Sequence, residues 1–290
     1  MKISMDWHVH SRHSCDCAGT GMSVGEIVAT ARARGIGAVG LADHLHTPVN
    51  LPSLRASREE FLAFGPCPSL RFGVEVSCVS RWELDEIATG RHGNPVYGLR
   101  EGGPANGPLA LGLTRDDIDA LGIEYVVGGT HWPMYVPFER EALIRDYHRQ
   151  NLFLATHPLV DVVAHPWWFH TGYWKTSCPP GEPWFDDFGR IPASMHEEFA
   201  AAAVSCRTAV EINMGAMLLN DAAKYPESFK RAYLEYLAGL KARGVRLTLG
   251  SDAHNLQQYC AMDLEGAARM LDSVGIVAAD LWQPAPSSKR

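Results

Sequence analysis

A chain of 290 residues with 46% hydrophobic and 20% charged side chains has an ordinary globular composition, long enough for one α/β barrel of about 250 residues. Its net charge of -7 argues against nucleic acid as the main partner but not against an anionic substrate, since bound cations can supply positive charge. No apolar run reaches the ~20 residues of a membrane span, the first residues lack a secretory pattern, and the seven scattered cysteines fit reduced thiols, so the expectation is a cytoplasmic protein whose oligomeric state is left open.

In chain order, Lys2 to His10 alternate as a first strand, with Ser4, Asp6, His8 and His10 on one face. Ile3, Met5, Trp7 and Val9 take the other, which suits packing under helices. Strict alternation thus places Asp6 in the interior behind His8 and His10. Cys15 and Cys17 lie near the pair but lack the second cysteine pair of a thiolate metal site. A helix is expected from Ser23, with Glu26 completing a capping box, to a stop at Gly35. Strand two covers 38–44, a short helix runs to Phe64, and strand three covers 70–76. Residues 79–113 are rich in glycine and proline and read as an insertion, in the form of a hairpin over a strand end. A helix opens at Thr114; strand four covers 123–131, a helix 140–157, and strand five 160–165. A second insertion, 166–192, holds four tryptophans and reads as packing anchors or a substrate lid. Ser194 to Glu197 have the form of a capping box opening an alanine-rich helix. Strand six covers 209–213, a helix 226–243, strand seven 245–252, and a last helix 262–273; the tail is expected to be disordered.

Strands alternating with helices require a parallel sheet, and a distorted (β/α)7 TIM-like barrel over a single unit, 1–290, fits the length; an open doubly wound sheet is the alternative. No GxGxxG or GxxxxGK[ST] loop follows any strand, which disfavours nucleotide binding. Six of the seven strands end in histidine or carboxylate: His8 and His10, His44, Glu75, His131, His165, and Asp252 with His254. In a parallel barrel these ends share one mouth, where barrel active sites lie. So many ionisable groups in one place call for metal ions, and imidazole with carboxylate suits zinc, manganese or iron(II). The set is too large for one ion and enough for two or three sharing a bridging carboxylate and hydroxide.

The HxH of strand one, Asp43-His44, the GVEVS of 73–77 and the GSDAH of 250–254 together resemble the PHP (polymerase and histidinol phosphatase) family over nearly the whole chain. The resemblance implies a (β/α)7 barrel with a trinuclear centre that hydrolyses phosphate esters. Matched by motif, it implies one ion on His8, His10, Glu75 and Asp252, a second on Asp16, His44 and His254, and a third on Glu75, His131 and His165. Many members carry histidine where this chain has Asp16, which puts the second site's metal preference in doubt. The implied reaction is attack by a metal-bridging hydroxide on a small phosphomonoester of the histidinol-phosphate kind, with Asp252 or His254 assisting the leaving group. Arg12, Arg81 and Lys175 are candidate substrate clamps, and Asn213 a candidate to reach the site from strand six. Competing readings are an amidohydrolase cutting a C–N bond, a phosphodiesterase or nuclease of the same superfamily, and a non-catalytic module.

Overall fold

The computed structural model describes residues 1–17, 19, 21–91, 93–169, 187–219 and 227–285. Seven strands form one parallel sheet: β1 (Met5–Val9), β2 (Ala38–Leu45), β3 (Leu70–Ser77), β6 (Tyr125–Gly129), β7 (Val162–Val163), β8 (Ala209–Asn213) and β9 (Leu247–Gly250), neighbours in that order. The sheet closes at the carboxyl ends of its strands. Val9 bridges Ala253 in parallel, the Asp252 amide donates to the His8 carbonyl at 2.7 Å, and the His10 amide to the Ala253 carbonyl at 3.1 Å. At the opposite end Leu281 bridges Leu247 and the Trp282 amide donates to the Leu247 carbonyl at 2.6 Å. The C-terminal segment therefore lies beside β9, where an eighth strand would stand. The expected (β/α)7 barrel is the fold found.

Local signals explain most element ends. Helix α1 (Val24–Ala33) starts at Ser23, whose hydroxyl accepts from the Glu26 amide while the Glu26 carboxylate accepts from the Ser23 amide. Thr114 and Asp117 repeat the device on α4 (Arg115–Leu121). α2 (Leu51–Phe64) ends at Gly65 with φ +89°, a conformation that favours glycine. α5 (Arg140–Thr156) follows β6 and buries one face.

Four expectations need correction. The first insertion is not a simple hairpin: β4 (Val79–Ser80) pairs antiparallel with β5 (Leu109–Ala110), and α3 (Arg81–Ala88) lies between them. The helix Ala193–Cys206 begins after Pro192 without a side-chain cap, so Ser194 is helical rather than capping. The last helix stands where expected, as Leu264–Ser273 capped by Asp263, but a further short helix, Leu256–Ala261 capped by Asn255, precedes it where none was expected.

The fourth correction concerns β1. Met5 and Asp6 pair with Ala38 and Val39, but Val9 pairs with Leu41, so three residue steps on β1 oppose two on β2. That extra residue inverts the alternation. Before it, Asp6 shares the outward face of Val39; after it, His8 and His10 point inward. Trp7 swings into the interior, where its ring meets Tyr125 edge-on at 6.2 Å and would stand 3.0 Å from any Cβ on Gly40. Trp7 belongs to the barrel filling and Asp6 to the outer layer.

Candidate metal centre at the barrel mouth

The centre is built around Glu75, which is wholly buried near the end of β3. Its register partners are His44 on β2 and Val127 on β6. One carboxylate oxygen, Oε2, lies 2.8 Å from His44 Nδ1, 3.1 Å from His8 Nε2 and 3.6 Å from His10 Nε2. The other, Oε1, lies 3.0 Å from His165 Nε2 and 3.1 Å from His131 Nε2. Gly129 makes room for this: a Cβ there would stand 2.7 Å from Oε1 and 2.6 Å from the His131 ring.

Two of the groupings implied by motif are met among the described residues: His8, His10, Glu75 and Asp252, and Glu75, His131 and His165, each with ligand atoms within 4.8 Å of one another. For the third, Asp16 Oδ2 lies 3.2 Å from His44 Nε2 and 3.3 Å from His254 Nε2, and those two nitrogens are 3.3 Å apart. A near-equilateral triangle of that size matches the ligand edges of about 3.3 Å around a tetrahedral ion with bonds of about 2.0 Å. Cys17 also approaches, its Sγ 3.6 Å from Asp16 Oδ1.

Several atoms here are buried without a hydrogen-bond partner, among them His8 Nε2, His44 Nδ1, His131 Nε2 and Glu75 Oε2. Such orphaned polar atoms are costly, and their convergence on one space is what metal ligands look like without their ions. The donor chemistry and spacing fit divalent transition metals. Backbone conformation adds to the case, because His165 (φ +26°) and Asp252 (φ +55°) both adopt the left-handed region that side chains other than glycine rarely take.

Carboxylates and imidazoles shift one another in opposite senses. Burial would raise Glu75, but the imidazoles of His8, His44 and His131 overcome it and hold the carboxyl well below its usual range. Asp16 and Asp252 are likewise lowered against burial, by His44 and His8 respectively. His10 is pushed down to about 3 by burial, with His254 and His44 adding to the effect. Against burial, the neighbouring carboxylates in turn raise His8, His44, His165 and His254, so carboxylate and imidazole balance one another's charge across the site.

The other sequence candidates separate. Asn213 reaches the site, but as support: its amide nitrogen donates to Asp252 Oδ2 at 3.1 Å and Glu211 Oε2 at 3.0 Å, and its oxygen accepts from the Ala216 amide at 2.6 Å. Arg12 turns away to Glu60, with 2.9 Å between Nε and Oε2, and His13 shares that carboxylate at 2.6 Å. Arg81 is exposed at the first turn of α3. Lys175 lies outside the described residues, as do His170 and most of the tryptophan-rich insertion.

Three more residues contact the candidate ligands without having been assigned a role from the sequence. Glu211 Oε1 meets His8 Nδ1 at 2.7 Å while its Oε2 accepts the His165 amide at 2.8 Å, so one carboxylate orients two candidate ligands. Ser77 Oγ lies 2.8 Å from His131 Nδ1 and 2.7 Å from His46 Nδ1, and His46 is itself buried. A signal existed for each: Glu211 stands two residues before Asn213, His46 two after His44, Ser77 two after Glu75, all in the inward phase.

No protein-family model matches the chain, and no curated protein matches it by sequence. Solved structures do. A histidinol phosphate phosphatase from Lactococcus lactis, complexed with zinc, L-histidinol and phosphate, superposes with a TM-score of 0.59 at 19% identity over 95% of each chain. A zinc-bound amidohydrolase from Burkholderia multivorans gives 0.46 at 14% identity over 97% of this chain and 96% of its own. An organophosphorus hydrolase from Deinococcus radiodurans gives 0.42 at 12% over 98% and 90%. At these identities the likeness is one of fold, and only the first is strong enough to argue from. It agrees with the fold that the four motifs implied.

Proposed function

We propose that this chain is a metal-dependent phosphoesterase of the PHP kind, acting as a single unit on a small phosphomonoester resembling histidinol phosphate. The observation that carries the reading is Glu75, whose two oxygens face two separate sets of imidazoles at the barrel mouth. The fold shared with a histidinol phosphate phosphatase that binds zinc and phosphate supports it.

His8, His10, Glu75 and Asp252 would hold one ion, Asp16, His44 and His254 a second, and Glu75, His131 and His165 a third; zinc, manganese and iron(II) suit these donors. Such ions, when bound, would neutralise phosphate oxygens and bring the pKa of water near neutrality. Glu211 fixes the His8 tautomer by accepting a hydrogen bond from Nδ1–H at 2.7 Å, which turns the Nε2 lone pair into the site. The Asp252 carbonyl, 2.9 Å from His254 Nδ1, does the same for His254. That makes His254 a ligand rather than a proton donor. Asp252, steadied by Asn213 at 3.1 Å, stays ionised and serves as a ligand as well. No described helix is long and apolar enough to cross a membrane, and a cytoplasmic setting remains part of the proposal.

A panel of phosphomonoesters, phosphodiesters and amides, each assayed with zinc, manganese and iron(II), tests the reading. Phosphomonoester hydrolysis that a chelator abolishes is the expected result. Turnover of amides alone would replace it with the amidohydrolase reading.

A further inference from the structure

Outside the three groupings implied by motif stands one more imidazole, His46, which has a ligand atom within 4.8 Å of those of His44 and His131. His46 follows His44 by two residues in the inward phase of β2, and is 1% exposed. Register sets its depth. His44 pairs with Glu75, so His46 stands one layer nearer the mouth, level with Ser77, which pairs with Gly129. Its ring stacks on His44 with centroids 4.3 Å apart, and its edge meets His131 and Trp132, each at 5.2 Å. Tyr97 of the first insertion, 40% exposed, packs at 5.5 Å on the outer side. His46 Nδ1 faces the Ser77 hydroxyl, and its Nε2, on the far side of the ring, is buried without a partner among the described residues.

Ser77 has one proton and stands between two Nδ1 atoms, His46 at 2.7 Å and His131 at 2.8 Å. It can donate to one while accepting from the other, so the tautomers of the two rings are linked. With no metal, His131 Nε2 keeps a proton toward the Glu75 carboxylate 3.1 Å away. His131 Nδ1 then accepts from Ser77, and His46 Nδ1–H donates to Ser77, leaving a lone pair on His46 Nε2. With a metal on His131 Nε2, the proton moves to Nδ1 and donates to Ser77. The Ser77 hydroxyl then donates to His46 Nδ1, and His46 carries its proton on Nε2. Each state holds three protons over the three residues: the metal displaces the His131 Nε2 proton to solvent, protons shift through Ser77 toward His131 Nδ1, and His46 Nε2 takes up one proton from solvent, so the total is unchanged.

We propose that His46 is a substrate-contacting residue, its Nε2–H donating a hydrogen bond to an oxygen of the phosphorylated substrate, and that the Ser77 relay makes it a donor only when the His131 site is loaded. This rests on the metal-dependent phosphoesterase reading for the substrate, but the relay is read independently of turnover. It gives the enzyme a substrate contact that exists only beside a loaded centre.

Two-bond ¹H–¹⁵N spectra of histidine-labelled protein, zinc-loaded and chelated, read the tautomers directly. The expected result is Nε2-protonated His46 when loaded and Nδ1-protonated His46 when chelated, with Ser77→Ala removing the correlation. The same tautomer in both states would overturn the relay. Assays of phosphomonoesters then test the contact. His46→Ala should lose about tenfold to a hundredfold in kcat/KM with metal content unchanged, and His46→Gln, which keeps an N–H near the Nε2 position, should retain most of it. Unchanged kcat/KM in His46→Ala, or equal losses in both variants at full metal content, would overturn the contact. A loaded wild-type protein that hydrolyses no phosphate ester, while His46 still switches, would instead count against the phosphoesterase reading.

Discussion

The two ends of this barrel are filled on opposite plans. At the floor the space is taken by large rings: Tyr125 lies against Gly40 and Gly73, Trp7 beside it, and Trp282 at 6.4 Å. The Tyr125 hydroxyl stands within hydrogen-bonding reach of the carbonyls of Trp7 and Leu41, at 2.8 and 2.9 Å, so its polar atom is satisfied by protein alone. At the mouth, one layer above Tyr125 and Gly73 on the same strands, imidazoles and carboxylates crowd together and leave ring nitrogens unpaired. The floor is complete without anything added; the mouth is not. One end supplies stability and the other holds polar groups whose burial only ligands would justify.

Substitutions can pull the two ends apart. The largest effect is expected from Glu75→Gln, which removes the charge on which both imidazole sets converge. Phosphomonoester turnover should fall by about 10³-fold or more, and metal analysis should show lost ions in a chain that still folds. Next is the floor. A Cβ on Gly73 would stand 2.4 Å from the Tyr125 ring, so Gly73→Ala should cost about 3 kcal/mol in urea unfolding while the metal content of the folded fraction stays at the wild-type level. Glu211→Gln lies between the two plans, since it loosens His8 without removing a ligand. Metal affinity should drop by about 10- to 100-fold in competition titrations, and excess metal should restore turnover.

The smallest effect concerns Asp6, which burial pushes up to about 6 despite hydrogen bonds from Ser251. A raised carboxyl means that the folded chain holds the proton more tightly than the unfolded chain. Its favourable contribution is therefore full below about pH 4 and lost as pH rises through about 6. Asp6→Asn cannot ionise, so it should gain on the order of 2 kcal/mol relative to wild type between pH 4 and 7, measured by unfolding in the presence of chelator.

Much of this difference between the ends was legible from alternation. The phase that carries Gly73 and Glu75 inward on β3, and Ala42 and His44 on β2, is enough to pick out candidate ligands at the mouth. Alternation failed where the backbone broke its own period. The extra residue in β1 has no marker in the sequence, and it exchanged the places of Asp6 and Trp7. Glu211 and Ser77 were missed for another reason. They touch ligands rather than the space the ligands enclose, and only contacts such as that of Glu211 with His8 distinguish a supporting group from an ordinary buried polar residue. Arg12 shows the converse, a cation in the right loop whose partner, Glu60, comes from a helix 48 residues further on.

The central claim is that Glu75 joins a polynuclear metal centre, and metal stoichiometry tests it most directly. Protein loaded with zinc, freed of excess metal and analysed by mass spectrometry should hold two to three ions per chain, falling on Glu75→Gln. One ion or none in fully folded, reconstituted protein would contradict it.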